Sequence, residues 1–164
     1  MATRPENDKG SDEIIIKKIL LHGHTVSKGK AEGEAIILKV PFSFLGELDP
    51  STGKLASPLH EQFGQDLKGK VLVTTTGKGS SMGPIISWYG MKEGNNPAAI
   101  ICLQAEAILA SASITAGIPM VDRLDKNPFE YIKSGDHVRV DATKGTVEIN
   151  YKIISVPVNR TKLY

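Results

Sequence analysis

The apolar positions of this chain come in short blocks separated by glycine and proline, the rhythm of strands and brief helices rather than of a helical bundle. Ile14-Ile15-Ile16 through Leu20-Leu21 reads as a first strand, a glycine-rich turn region follows with Gly23, Gly29 and Gly33, and Ala35-Ile36-Ile37-Leu38 reads as a second strand. Residues 41–69 carry Pro41, Gly46, Pro50, Gly53, Pro58, Gly64 and Gly69. Within them Asp49-Pro50-Ser51-Thr52-Gly53 is a turn in which proline presets φ and glycine supplies a positive one, so this stretch is expected to be mostly loop.

The pattern then changes. Lys70-Val71-Leu72-Val73-Thr74-Thr75-Thr76 is apolar enough for a strand buried on both faces, and it runs through a glycine loop into the apolar segment Ile85–Met91, expected to be helical. The unit recurs with Ala98–Leu103 as strand, Glu106–Ala116 as a helix of small residues and Ile118–Val121 as a third short strand. Repeated strand–helix–strand units imply parallel crossovers. Gly135-Asp136, the alternating His137-Val138-Arg139-Val140-Asp141, the Lys144-Gly145 turn and Thr146–Ile149 predict a closing hairpin. These elements point to a layered α/β domain over 13–150. Residues 1–12 are too polar to bury a face and are expected to be a disordered tail, and 151–164 are set apart as a C-terminal extension.

The totals narrow the chemistry. With 20 Lys+Arg against 18 Asp+Glu the net charge is +2, and basic residues are not interleaved with aromatics, so no nucleic acid is expected as a partner. The apolar runs are too short to span a bilayer and the first residues lack a signal-peptide core, which points to a cytoplasmic protein with no membrane contact. The single cysteine, Cys102, lies in an apolar strand and reads as a small buried hydrophobe; one thiolate does not hold an iron–sulfur cluster. His22 and His24 flank Gly23 at a spacing that puts both on one strand face, but no Cys, Asp or Glu completes a metal set, so no metal site is assigned to this chain. Asp122-Arg123 at a strand end reads as an ion pair, and Glu106 as a carboxylate favoured by the dipole of the helix it opens.

One loop stands out. Gly77-Lys78-Gly79-Ser80-Ser81-Met82-Gly83-Pro84 leaves the C-terminal end of a buried strand and enters a helix whose first turn accepts Pro84. Glycines permit close backbone approach, the free N–H groups of the helix start favour an anion, and α/β sheets bind ligands at this edge. Ser80 and Ser81 bring two hydroxyls, and Lys78 a positive charge. Serine and glycine are also ordinary turn and capping residues, so this spacing alone supports an anion-binding loop and nothing finer. Because Lys78 precedes the serines, the loop departs from the nucleotide-binding P-loop.

Taken together in order and spacing, Ala31-Glu32-Gly33-Glu34-Ala35, Phe42–Gly53, Gly77–Ser81, Asn96–Ile101, Ala105–Ile108, Gly117–Arg123 and Gly135–Val140 resemble the small subunit of aconitase X over residues 22–150. The resemblance implies a three-layer, swivelling β/β/α domain similar to the C-terminal domain of aconitase. It implies a large-subunit partner that holds an iron–sulfur cluster of the 4Fe-4S kind, the active site lying between the two chains. It implies a dehydratase: in the archaeal branch one that removes water from (R)-5-phosphomevalonate to give trans-anhydromevalonate 5-phosphate, a substrate bearing carboxylate and phosphate, and in the bacterial branch a cis-3-hydroxy-L-proline dehydratase. The family's proton acceptor is the serine after Gly-Lys/Arg-Gly, here Ser80, with Lys78, Gly79 and Ser81 expected at the substrate. Many relatives continue the loop with Gly-Ser where this chain has Gly83-Pro84, so one hydroxyl of the family pattern is missing. Two other readings remain: Ala116–Val121 is also similar to the phosphohistidine swivelling domain of phosphoenolpyruvate-using enzymes, though none of His22, His24, His60 or His137 stands in that domain's Thr-Ser-His-like setting, and a non-catalytic anion-binding module would use the same loop.

Overall fold

A computed structural model describes residues 13–155. The expected tail, 1–12, and the last part of the expected extension, 156–164, lie outside the described residues. In chain order the elements are β1 (Glu13–His22), β2 (His24–Ser27), β3 (Lys30–Leu38), the single turn α1 (Phe44–Glu47), β4 (Val71–Thr74), α2 (Gly83–Glu93), β5 (Ala99–Cys102), α3 (Ala107–Thr115), β6 (Met120–Asp122), the short α4 (Pro128–Tyr131), β7 (His137–Asp141) and β8 (Thr146–Ser155).

The strands hydrogen-bond in the order β1-β8-β7-β3-β4-β5-β6-β2. β3, β4, β5 and β6 are parallel, with Ile36 opposite Leu72, Leu72 opposite Ile100 and Ile100 opposite Met120, and β2 runs antiparallel along the far edge. β1, β8, β7 and the first half of β3 are antiparallel. The side-chain period of two sorts the parallel half into two cores. Ile36, Leu38, Leu72, Ile100, Cys102 and Met120 pack toward the helices with Leu109 and Ala112 of α3. Ala35, Ile37, Val71, Val73, Ala99, Ile101 and Val121 pack toward Leu21, Val138, Val140, Val147 and Ile149 of the antiparallel half. The antiparallel half therefore lies over one face of the parallel half and the helices over the other, which is the expected β/β/α sandwich. Each fully buried aliphatic side chain contributes about 1.5–3 kcal/mol through apolar burial.

β3 belongs to both halves: Lys30–Glu34 pair with β7 and Ala35–Leu38 with β4. Gly33 sits just before the change of partner, where a Cβ would lie 2.5 Å from the Gly69 carbonyl oxygen, so the close approach of the 69–70 backbone requires glycine. Gly33 was expected in a turn and is instead inside a strand. Lys30, Glu32 and Glu34 face solvent, which dilutes the apolar signal of this half-strand.

Two further expectations change. β8 continues past 150 through Ser155 because ten register pairs bind it to β1, so the boundary set at 150/151 falls inside a strand. Residues 41–69 are irregular as expected, yet Phe42, Phe44, Leu48, Leu55 and Leu67 are buried in the helix-side core, Phe42 and Phe44 edge to face at 5.2 Å. This segment wraps the core, and its turns serve that wrapping.

Candidate functional site

The parallel strands end together. β4, β5 and β6 stop at Thr74, Cys102 and Asp122, which are paired in register, so the loops 75–82, 103–106 and 123–127 emerge on one edge. The first carries the serines. Gly77 is bridged to Phe42, and a Cβ at Gly77 would lie 2.7 Å from Leu109 Cβ, so glycine lets the loop pass against α3. Lys78 N–H donates to the Phe42 carbonyl at 3.2 Å, and Phe42 N–H to the Thr76 carbonyl at 2.9 Å.

Gly79 and Ser80 have φ of 84° and 70°. For glycine this is free; for Ser80 the left-handed region costs about 1–2 kcal/mol. The surroundings hold it there: the Ser80 carbonyl accepts Gly83 N–H at 2.8 Å, and Ser43 Oγ donates to the Gly79 carbonyl at 2.8 Å. Ser80 Oγ is 3.4 Å from Met82 N, the beginning of α2. Met82 in the N-cap position provides no side-chain cap, Gly83 N–H is taken by the Ser80 carbonyl and Pro84 has no N–H, which leaves Ile85 N–H as the first-turn donor of this eleven-residue helix open to an acceptor from outside the chain. Ser80 and Ser81 are both exposed.

Lys78 goes elsewhere. Its ammonium is 2.5 Å from Glu47 Oε1, and the Glu47 side chain is only 4% exposed. The same carboxylate meets His60 Nε2 at 2.8 Å and accepts Ser43 N–H at 2.6 Å. The positive charge expected at the serines is thus paired with a buried carboxylate. Ser43, Glu47 and His60 were not singled out from the sequence as a group, since 36 residues separate Ser43 from Gly79; the one visible signal is the serine between two aromatics in Phe42-Ser43-Phe44.

The remaining residues resolve into structural roles. Glu106 caps α3, accepting from Ile108 N–H at 2.8 Å and Leu109 N–H at 3.1 Å. Asp122 is buried and accepts Ala105 N–H at 2.8 Å, with Arg123 Nε at 3.8 Å. Arg123 is the other non-glycine residue of positive φ among those described, at 48°. His24 Nδ1 lies 4.0 Å from Asp122 Oδ1, and His22 uses its backbone N–H on Asp125. Among the described residues no group of three His, Cys, Asp or Glu is placed to hold a metal ion. Cys102 is fully buried, and burial, with the Asp122 charge adding, pushes its thiol up to about 12. The donor set of this chain does not fit an iron–sulfur cluster, which needs several accessible thiolates. A cavity of about 660 Å³ opens between the end of β3, residues 59–62 and α4, lined by Ile37, Val40, His60 and Phe129 among others, apart from the serine loop.

Comparison with known families decides what the loop belongs to. The model of the aconitase X swivel domain matches residues 20–149. This chain belongs to the aconitase X swivel-domain family. It is 45% identical to a phosphomevalonate dehydratase small subunit from Methanocella arvoryzae over 79% of this chain and 98% of that protein, and 45% identical to one from Methanosarcina acetivorans over 80% and 91%. Among solved structures, the holo-form of Thermococcus kodakaraensis aconitase X superposes with a TM-score of 0.75 at 43% identity, covering 80% of this chain and 98% of that one. The swivel-domain assignment accounts for the three layers. Of the residues that the family resemblance nominates, the fold brings Gly79, Ser80 and Ser81 to the open sheet edge and turns the Lys78 ammonium to Glu47.

Proposed function

We propose that this chain is the small subunit of a phosphomevalonate dehydratase, and that Ser80 is its proton acceptor. The near full-length match to small subunits so named carries the reading, and the strained backbone of Ser80 at the sheet edge supports the role. In the reaction, Ser80 Oγ in its alkoxide form takes the proton from the carbon beside the substrate carboxylate. The electron pair left behind becomes the carbon–carbon double bond as the hydroxyl of the next carbon departs, and the two fragments together make one water. The open Ile85 N–H at the start of α2 and the helix dipole favour both the alkoxide and an anionic substrate group. Gly79 and Ser81 provide backbone and hydroxyl contacts to that group.

A serine exposed to water is a poor base, so the site must be closed by another chain. Met82, Ile85, Trp88 and Tyr89, each 40% exposed or more, run along α2 from its start next to Ser80, an apolar stripe suited to a large-subunit partner. In this reading the partner also holds the iron–sulfur cluster, since this chain lacks the ligands. The test is reconstitution with the large subunit and assay on phosphomevalonate and on cis-3-hydroxy-L-proline. Turnover of the first with loss in Ser80→Ala is the expected result; turnover of the second alone assigns the other dehydratase of the family, and an active Ser80→Ala removes the role of Ser80. Among the described residues no helix is long and apolar enough to cross a membrane.

A further inference from the structure

A buried carboxylate with three partners lies not at the serine loop but behind it. Glu47 is buried, yet its two oxygens meet an ammonium, an imidazole and a backbone N–H, from Lys78, His60 and Ser43. Removing a carboxylate from water is costly unless it is paired and hydrogen-bonded, so the fold retains Glu47 only with these partners in place. Two of the three lead to Ser80. Lys78 is two residues before it; Ser43, fixed through its N–H, donates its hydroxyl to the carbonyl of Gly79, the residue immediately before it. Phe42 N–H donates to the Thr76 carbonyl and the Phe42 carbonyl accepts Lys78 N–H, so the segments 42–47 and 76–80 are joined by four links.

We infer that Glu47 is the positioning residue of the Ser80 loop: its buried charge clamps Lys78 and Ser43 so that Ser80 is held in the left-handed conformation before any substrate arrives. The inference rests on Ser80 being the proton acceptor. It makes Lys78 a tether rather than a substrate ligand, and His60 the third partner that keeps the carboxylate satisfied from the side of the 57–60 turn.

Two readouts test it in the full chain. In the reconstituted two-subunit enzyme, Glu47→Gln keeps the shape and removes the charge; kcat on phosphomevalonate should fall about tenfold or more while KM stays within about twofold, because geometry at the reacting atom changes and substrate binding does not. In the full chain alone, amide hydrogen exchange at Lys78 and Gly83, which donate to Phe42 and Ser80, should quicken about tenfold relative to the core amides of β7. Ile149→Val, a mild core change, should quicken all amides together and leave that ratio unchanged. Ser43→Ala, which removes one hydroxyl, should give the same selective loosening to a smaller degree, and decides the matter if Glu47→Gln does not fold. Unchanged relative protection of Lys78 and Gly83 in the folded variant overturns the inference, as does wild-type kcat. An inactive wild-type pair would instead remove the dehydratase reading, and the exchange ratio would still decide whether Glu47 clamps the loop.

Discussion

In the antiparallel half of the molecule β1 and β8 are ten residues long and β7 five, with buried and solvent-facing positions alternating along β7; in the parallel half β4, β5 and β6 are three or four residues, buried at every position. The exposed face of the long strands carries a band of opposite charges across four strands: Lys18 to Glu148 at 3.4 Å, Glu148 to Arg139 at 3.7 Å and Arg139 to Glu32 at 2.8 Å. The short strands carry a single charged residue, the buried Asp122, and the loops that follow them hold the two described non-glycine residues of positive φ, Ser80 and Arg123. Regular pairing and surface charge build one half; the other is held by burial on both faces, and that security lets its loops adopt conformations that would not persist alone.

The contrast can be broken by substitution. The largest expected effect is at Ser80: Ser80→Ala in the two-subunit enzyme should lower turnover by about 10³-fold or more with subunit association intact, measured by steady-state assay and size-exclusion chromatography, whereas Arg139→Ala on the charged face should leave turnover unaltered. Next is Cys102, whose thiol is pushed up to about 12; a thiol reagent at pH 8 should modify it roughly a thousandfold more slowly in the folded protein than in denaturant. Ile101→Ala, in the centre of the parallel half, should destabilise by about 2–5 kcal/mol in denaturant titration, while Leu20→Ala on the exposed face of β1 should change stability by no more than about 0.5 kcal/mol. The smallest is at the turn outside both halves. Hydrogen bonds from the Ser51 hydroxyl and N–H, and from Thr52, hold the Asp49 carboxyl below its usual range. A lowered value in the folded state gives stability that is present above the ordinary carboxylate pKa of about 3.9 and is lost as pH falls through the folded value. The Tm gap between wild type and Asp49→Asn should therefore be open at pH 6 and close below pH 4.

The same contrast explains what could be read from the sequence. Strands buried on both faces are uninterrupted apolar runs, so β4, β5 and β6 and the helices between them were legible from Val71 to Val121. β2 and the front of β3 were not, because β2 is four residues between Gly23 and Gly29 with a single apolar side chain, and in the front of β3 alternate residues face solvent and Gly33 interrupts the run by necessity of packing. The serine loop was legible as an anion site because glycine, hydroxyl and helix start are adjacent in the chain. Its support was not: Glu47 reaches Lys78 across 31 residues (78 − 47) and Ser43 reaches Gly79 across 36, and a buried glutamate in a proline-rich stretch looks like any solvated one until the chain is folded.

β3 gives half its length to each layer. The two layers therefore share a mechanical spine: neither can slip register or detach without dragging the other, because a one-residue shift in β3 would turn Ala35 and Ile37 out of one core and Ile36 and Leu38 out of the other. Two layers joined through one strand are expected to melt as a single cooperative block and to pivot against a partner as a rigid body, the property a swivelling domain needs.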